Sequence, residues 1–174
     1  MRIISGTHRG RRISPPKNLL LRPTTDKAKE ALFNIINNRY FFNNKTMLDL
    51  FSGTGSIAFE FASRGVEKAV AIDHNIHCVE FINTTSRIFE FNMSAIQADG
   101  LKYAENCKER FDFIFADPPY SYQYYHELKK VIVKNNLIKK DGLLIIEHDK
   151  DTIFEEKNVE VREYGRVLFS LFPF

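Results

Sequence analysis

Tryptophan is absent from the 174-residue chain, and cysteine occurs only at Cys78 and Cys107. Two thiols without C-x-x-C spacing build neither a disulfide framework nor a structural zinc site. They point to a reducing, cytoplasmic compartment. No apolar run approaches the ~18 residues of a membrane span. The basic N-terminus lacks the apolar core of a secretory signal, so no membrane partner is expected. The most informative scarcity is of acid: residues 1–25 contain no Asp or Glu, but six basic residues, Arg2, Arg9, Arg11, Arg12, Lys17 and Arg22. The whole chain is only +3, so the remainder sums to −3. A basic arm on a mildly acidic body is an electrostatic footprint for a polyanion. Its preference for Arg over Lys favours forked contacts to phosphate.

What is present reads as one domain of ordinary length. The arm holds two short extended runs, 2–5 and 11–14, around a turn bounded by Gly6 and Gly10, which predicts a β-hairpin ended by Pro15-Pro16. Residues 1–24 are therefore expected as a hairpin arm and 25–174 as the main domain. Thr24-Thr25-Asp26 is a helix start, and Ala28, Ala31, Leu32, Ile35 and Ile36 share one helical face, predicting a helix over 25–38. Beyond it, strands are expected near 46–51, 68–73, 94–99, 111–116 and 142–148. Helices fall between them near 55–64, 75–91, 100–107 and 123–138. This βαβ alternation implies an α/β fold, a mostly parallel sheet with helices on both faces. Runs at 158–164 and 166–172, joined at Gly165, read as a terminal hairpin on that sheet.

Ligands of such sheets bind beyond the carboxyl ends of the strands. After the first strand, Asp49-Leu50-Phe51-Ser52-Gly53-Thr54-Gly55 offers two glycines for a tight turn and close backbone approach at a helix start. Asp73 follows Gly53 by 20 residues, the spacing of an acid that holds ribose hydroxyls; its ordinary alternative is a cap for the next helix. Asp99 after the third strand could meet a cofactor amine, and is equally suited to N-capping. Asp117-Pro118-Pro119-Tyr120 after the fourth strand is the most specific feature. Two prolines fix φ near ~−65° and remove two N–H donors. A carboxylate, a rigid carbonyl and an aromatic ring remain, a set suited to a planar base bearing an exocyclic amine. The run Tyr120, Tyr122, Tyr124, Tyr125 could line that base pocket, with packing of the 123–138 helix as the alternative for Tyr124 and Tyr125. The five histidines show no metal-ligand spacing, and no metal is expected.

With the Phe51-to-Ser56 loop, Asp73 and Asp117-to-Tyr120 in hand, the chain resembles class I S-adenosylmethionine-dependent methyltransferases of exocyclic amines. Arg2-to-Gly6, Arg9-Gly10-Arg11, Leu21-to-Lys27, Glu60 and Ser63-Arg64-Gly65 narrow the resemblance to the RsmD family, guanine-N2 methyltransferases of bacterial 16S ribosomal RNA. It implies a Rossmann-like, seven-stranded sheet plus an N-terminal β-hairpin/helix extension. The cofactor implied is S-adenosylmethionine. The partner implied is 16S rRNA in the small ribosomal subunit or its assembly intermediate, met by a monomer. By matching positions, Asp49, Phe51, Gly53, Gly55, Asp73 and Asp99 would serve the cofactor. Asp117, Pro118 and Tyr120 would be catalytic, with Pro119, Tyr120 and Tyr122 around the base. Arg2, Arg9, Arg11, Arg12, Arg22 and Thr24 would meet RNA. Ala58 stands where the family usually has Gly, and Asp73 where Glu is common. Rival readings are an adenine-N6 methyltransferase of DNA or RNA, a glutamine-amide methyltransferase, a nicotinamide oxidoreductase, and a non-catalytic RNA-binding ribosome-assembly factor.

Overall fold

The alternation is realised in a computed structural model that describes residues 1–16, 19, 25–119 and 122–174. In chain order the elements are α1 (Asp26–Asn37), β1 (Thr46–Leu50), α2 (Ser56–Ser63), β2 (Lys68–Asp73), α3 (Ile76–Ile88), β3 (Met93–Gln97) and α4 (Gly100–Asn106). They continue with β4 (Phe111–Ala116), α5 (Tyr125–Lys134), β5 (Ile138–His148), β6 (Glu160–Tyr164) and β7 (Val167–Pro173). The seven strands lie in the order β3-β2-β1-β4-β5-β7-β6. The first five are parallel, while β7 runs antiparallel to both β5 and β6.

Side chains alternate between faces along a strand, and the two cores follow that period. Met47, Ala69, Ala71, Phe113, Phe115, Leu143 and Ile145 enter the core beneath α1, α2 and α3. Leu48, Leu50, Val70, Ile72, Ile114, Ala116, Leu144 and Ile146 enter the opposite one with α4 and α5. The central parallel strands β1, β2, β4 and β5 are buried on both faces along most of their length, as parallel strands covered by helices must be, whereas the edge strand β3 is buried on alternate residues only at its start.

Several expected boundaries shift for identifiable reasons. α3 ends at Ile88, because Glu90 takes a left-handed conformation (φ 56°). α5 spans only Tyr125–Lys134, closed by Asn136 with φ 56°. β5 starts at Ile138, four residues before its expected start. A bulge between Phe111 and Phe113 accommodates the extra length. Gly142 is obligatory there, since a Cβ would lie 2.8 Å from the carbonyl oxygens of Asp112 and Lys139. The Asp112 carboxylate anchors this end: Lys45 and Lys139 donate to it at 3.0 and 2.8 Å, and these hydrogen bonds, with that of the Thr46 N–H, outweigh burial and hold its pKa down at about 2. α1 is capped by Thr25 as expected. Its buried face is Ala28, Lys29, Leu32, Phe33 and Ile36, rotated from the expected stripe toward Phe33, whose ring meets Phe61 at 4.8 Å.

The arm is docked along α2. Its hairpin is minimal, with one antiparallel bridge between Arg2 and Arg12. Ile3 and Ile13 are buried in the first core. The fully buried Glu60 carboxylate accepts the N–H groups of Ile4 and Ser5 at 2.7 and 3.0 Å, and Arg64 Nε at 2.8 Å. Lys29, also fully buried, donates from Nζ to the Arg2 carbonyl (2.7 Å) and to Ser56 Oγ (3.2 Å), with Glu60 at 3.9 Å. The Thr7 N–H bonds the Ser63 carbonyl at 2.8 Å.

Candidate active site

Four carboxylates close the same face of the sheet at the carboxyl ends of its strands. Odd-numbered residues of β1, β2, β4 and β5 face the first core, so Asp49, Asp73, Asp117 and Glu147 point the same way. Adjacent strands bring them together: Leu50 pairs with Ala116, and Ala116 with Ile146. Glu147, only 7% exposed, escapes motif-based reading, because nothing in its local sequence resembles a loop signal. The parity with Leu143 and Ile145 is the cue that could have found it.

The loop after β1 is pinned at both ends. Ser52 N donates to the Ile72 carbonyl (2.9 Å), and Gly55 N closes a turn on Ser52 O (2.7 Å). Gly53 N donates to Asp73 Oδ2 at 2.7 Å. Asp73 Oδ1 accepts from Asn75 N at 2.8 Å. The cap of α3 is Asn75, which takes the His77 N–H; Asp73 is thus not the helix cap its alternative reading proposed. Each of its oxygens keeps a lone pair for a hydroxyl donor. Gly55 lies in the left-handed region (φ 77°), and a Cβ there would press on Ile82 and Phe59 at 3.0 and 3.1 Å.

Asp49 is fully buried. Its Oδ2 accepts the Ala58 N–H at 3.2 Å, and its Oδ1 has no partner among the described residues. Burial, with Asp73 and Glu147 nearby, pushes its pKa well above the usual carboxylate range despite that hydrogen bond. Asp117 is raised likewise, by burial first and then by Glu147 and Asp49. Buried acids without a counter-charge are costly. A cationic, hydroxyl-bearing ligand on this face answers both the orphaned Asp49 oxygen and the crowded charge, and the residues fit such a group.

The aromatic side of the site lies across the sheet edge. Phe51 adopts φ 63°, and its ring lies where a Cβ on Gly100 would come within 2.6 Å. Tyr122 meets Phe51 edge-on at 5.3 Å, and its buried hydroxyl has no partner among the described residues. Burial is the main reason its pKa is raised. Tyr122 N bonds the Pro119 carbonyl at 2.8 Å. Asp99 caps α4 by accepting the Lys102 N–H at 2.9 Å. Pro118 is buried and Pro119 exposed. Tyr125 is buried in the second core while Tyr124 is 56% exposed. Tyr120, Arg22 and Thr24 lie outside the described residues. Arg2, Arg9, Arg11 and Arg12 are exposed.

The family described as conserved hypothetical protein 95 matches residues 1–172. A Bacillus subtilis protein named "Putative rRNA methyltransferase YlbH" is 32% identical over 161 residues, 90% of this chain and 86% of that one. A Haemophilus influenzae protein named "Ribosomal RNA small subunit methyltransferase D" is 28% identical over 183 residues, 94% of this chain and 91% of that one. Among solved structures, a hypothetical protein of Thermus thermophilus, TTHA0928, superposes with a TM-score of 0.86 at 26% identity, covering 98% of each chain.

Proposed function

The chain belongs to the conserved hypothetical protein 95 family, and from that premise we propose that it methylates ribosomal RNA of the small subunit, at the exocyclic N2 amine of a guanine, with S-adenosylmethionine as methyl donor. The observation that carries this reading is the adjacency of Asp117-Pro118, at the end of β4, to the Gly53–Gly55 turn at the end of β1. The names of its relatives support the substrate class.

S-adenosylmethionine, when bound, supplies an electrophilic methyl on a cationic sulfur. Gly53 and Gly55 give its amino-acid part close access to backbone, Asp49 Oδ1 offers a free acceptor, and Asp73 is placed for the ribose hydroxyls. Phe51 and Tyr122 wall the side where Asp99 and Gly100 begin α4. The guanine amine is a weak nucleophile because its lone pair is delocalised into the ring. Asp117 and the Pro118 carbonyl accept its two hydrogens, which favours a pyramidal nitrogen with its lone pair free. Asp117 then stabilises positive charge growing on that nitrogen, as preorganised electrostatics does elsewhere, and takes the proton that the nitrogen loses as its bond to carbon forms. The target base leaves its stack to reach these acceptors, at a cost of a few kcal/mol. The exposed arginines of the arm offset part of that cost by holding phosphates.

The test is methyl transfer from labelled S-adenosylmethionine to small ribosomal subunits, naked 16S rRNA and DNA, followed by mass spectrometry of the modified nucleoside. N2-methylguanine in rRNA is the expected product. N6-methyladenine, or label in DNA alone, would replace this reading with the adenine one. No transfer to any of the three would leave an RNA-binding assembly factor.

A further inference from the structure

Arg2 and Arg12 are directly opposite one another across the single bridge of the arm. Directly opposed residues of an antiparallel pair project to the same face, and like charges there repel. Both line one solvent-open cavity of about 320 Å³ together with Met1 and Asp26. Asp26 balances little of the charge: its carboxylate is 3.9 Å from Arg2 Nε, with both side chains about half exposed, a pair worth little in water. Arg12 makes no ion pair among the described residues.

The cavity's position is fixed relative to the candidate active site. Lys29 Nζ holds the Arg2 carbonyl and Ser56 Oγ at once, and Ser56 directly follows Gly55. Met1 Sδ lies 3.6 Å from Thr54 Oγ1 inside the same loop. From there the arm follows α2 to Ser63, where Thr7 and His8 dock. Eight helical residues span ~12 Å at ~1.5 Å each. Arg2 and Arg12 therefore stand at the cofactor end of the arm and Arg9 at its far end.

We infer that Arg2 and Arg12 form one shared seat for a phosphodiester of the RNA substrate, at the mouth of the active site, where it sets the strand's register against Asp117. This rests on the RNA reading above and adds to it which phosphate contact positions the substrate and which merely tethers it. Two guanidinium groups converging on one phosphate relieve their mutual repulsion and supply forked donors.

The experiment measures rRNA affinity against salt for the full chain carrying Arg2→Gln, Arg12→Gln, both, and Arg9→Gln alone and with Arg12→Gln. A shared seat lowers the slope of log affinity on log salt by about one phosphate's worth, ~0.7–0.9, in the Arg2/Arg12 double variant, no more than in the stronger single. The Arg9 and Arg12 losses add, because distant sites do. Arg12→Lys retains most of the slope. The KM for rRNA rises several-fold with S-adenosylmethionine affinity unchanged. Additive Arg2 and Arg12 losses mean two separate phosphates and overturn the seat, as does an unchanged slope. Weakened S-adenosylmethionine binding in Arg12→Gln assigns the cavity to the cofactor's carboxylate and also overturns it. Wild-type protein that binds rRNA with this salt pattern yet transfers no methyl would overturn the catalytic reading and leave the seat standing.

Discussion

Asp117 illustrates what a single side chain can and cannot announce. Its motif was legible, because two prolines after a carboxylate leave a distinctive set of acceptors. Its surroundings were not: Glu147 and Asp49 come from other strands, and only the shared face reveals them. Asp117→Asn removes the charge while keeping the shape, and is expected to lower methyl transfer by at least 100-fold, on the order of oxyanion-type losses, with S-adenosylmethionine affinity within a few-fold of wild type by calorimetry. Retained turnover would remove Asp117 from the mechanism. The pH dependence follows from the raised pKa. In the proposed mechanism Asp117 acts ionised, so activity is expected to rise with pH through its elevated folded-state pKa and to be lost below it. The acid limb of kcat/KM is expected above the usual carboxylate range, and Asp117→Asn abolishes that limb. Lys29 and Glu60 were harder to place. Lys29 lies on the buried face with Leu32, Phe33 and Ile36, a face that the expected stripe left out, and its partners on the arm and α2 come from distant parts of the chain. Removing one member of such a buried pair costs ~3–5 kcal/mol. Chemical denaturation of Glu60→Gln should show a loss near that size, together with release of the arm's Ile4 and Ser5 N–H groups to rapid hydrogen exchange.

At the scale of elements, the order and type of every strand and main-domain helix could be read from hydrophobic periodicity. β2 and β4 also keep their expected bounds, but the ends of α3, α5 and β5 could not be read, because left-handed turns at Glu90, Asn136 and Asp141 carry no Gly signal. The arm was legible as basic and turn-bounded, and illegible as a docked element, since Ile3 and Ile13 are isolated apolar residues in a polar segment. Gly6 is where that docking is most exacting. It has φ 87°, and a Cβ would lie 1.8 Å from the Ser63 carbonyl oxygen. Gly6→Ala therefore forces the arm off α2. Limited proteolysis should cut the arm of this variant within residues 1–16 at a rate at least ten times that of wild type, while the sheet stays resistant. Equal cutting rates would mean that the arm yields at this point without detaching.

For the molecule as a whole, stability should depend on pH through His148. It is buried on β5, with Nε2 at 2.7 Å from Ser170 Oγ on β7 and Nδ1 at 2.7 Å from the Asp149 carbonyl. Burial lowers its pKa, against the Asp149 carbonyl contact. A depressed folded-state pKa means that the unfolded chain binds the extra proton first. Stability is then full above ~6.5, the ordinary histidine value, and declines as pH falls through the lowered one. Thermal melts across pH 5–7.5 should trace this decline, and His148→Gln should flatten it.

The strand that accepts His148's partner, β7, is the last in sequence yet lies between β5 and β6. During synthesis the eleven-residue β5 emerges with one edge bare, and β6 has no neighbour to join until β7, which follows it in sequence, clears the ribosome. The nascent chain thus carries an apolar, unpaired margin of the kind that recruits other strands. A chain shortened by its last eight residues would keep that margin for good, so its fate is to clump or be degraded rather than to persist as a smaller enzyme.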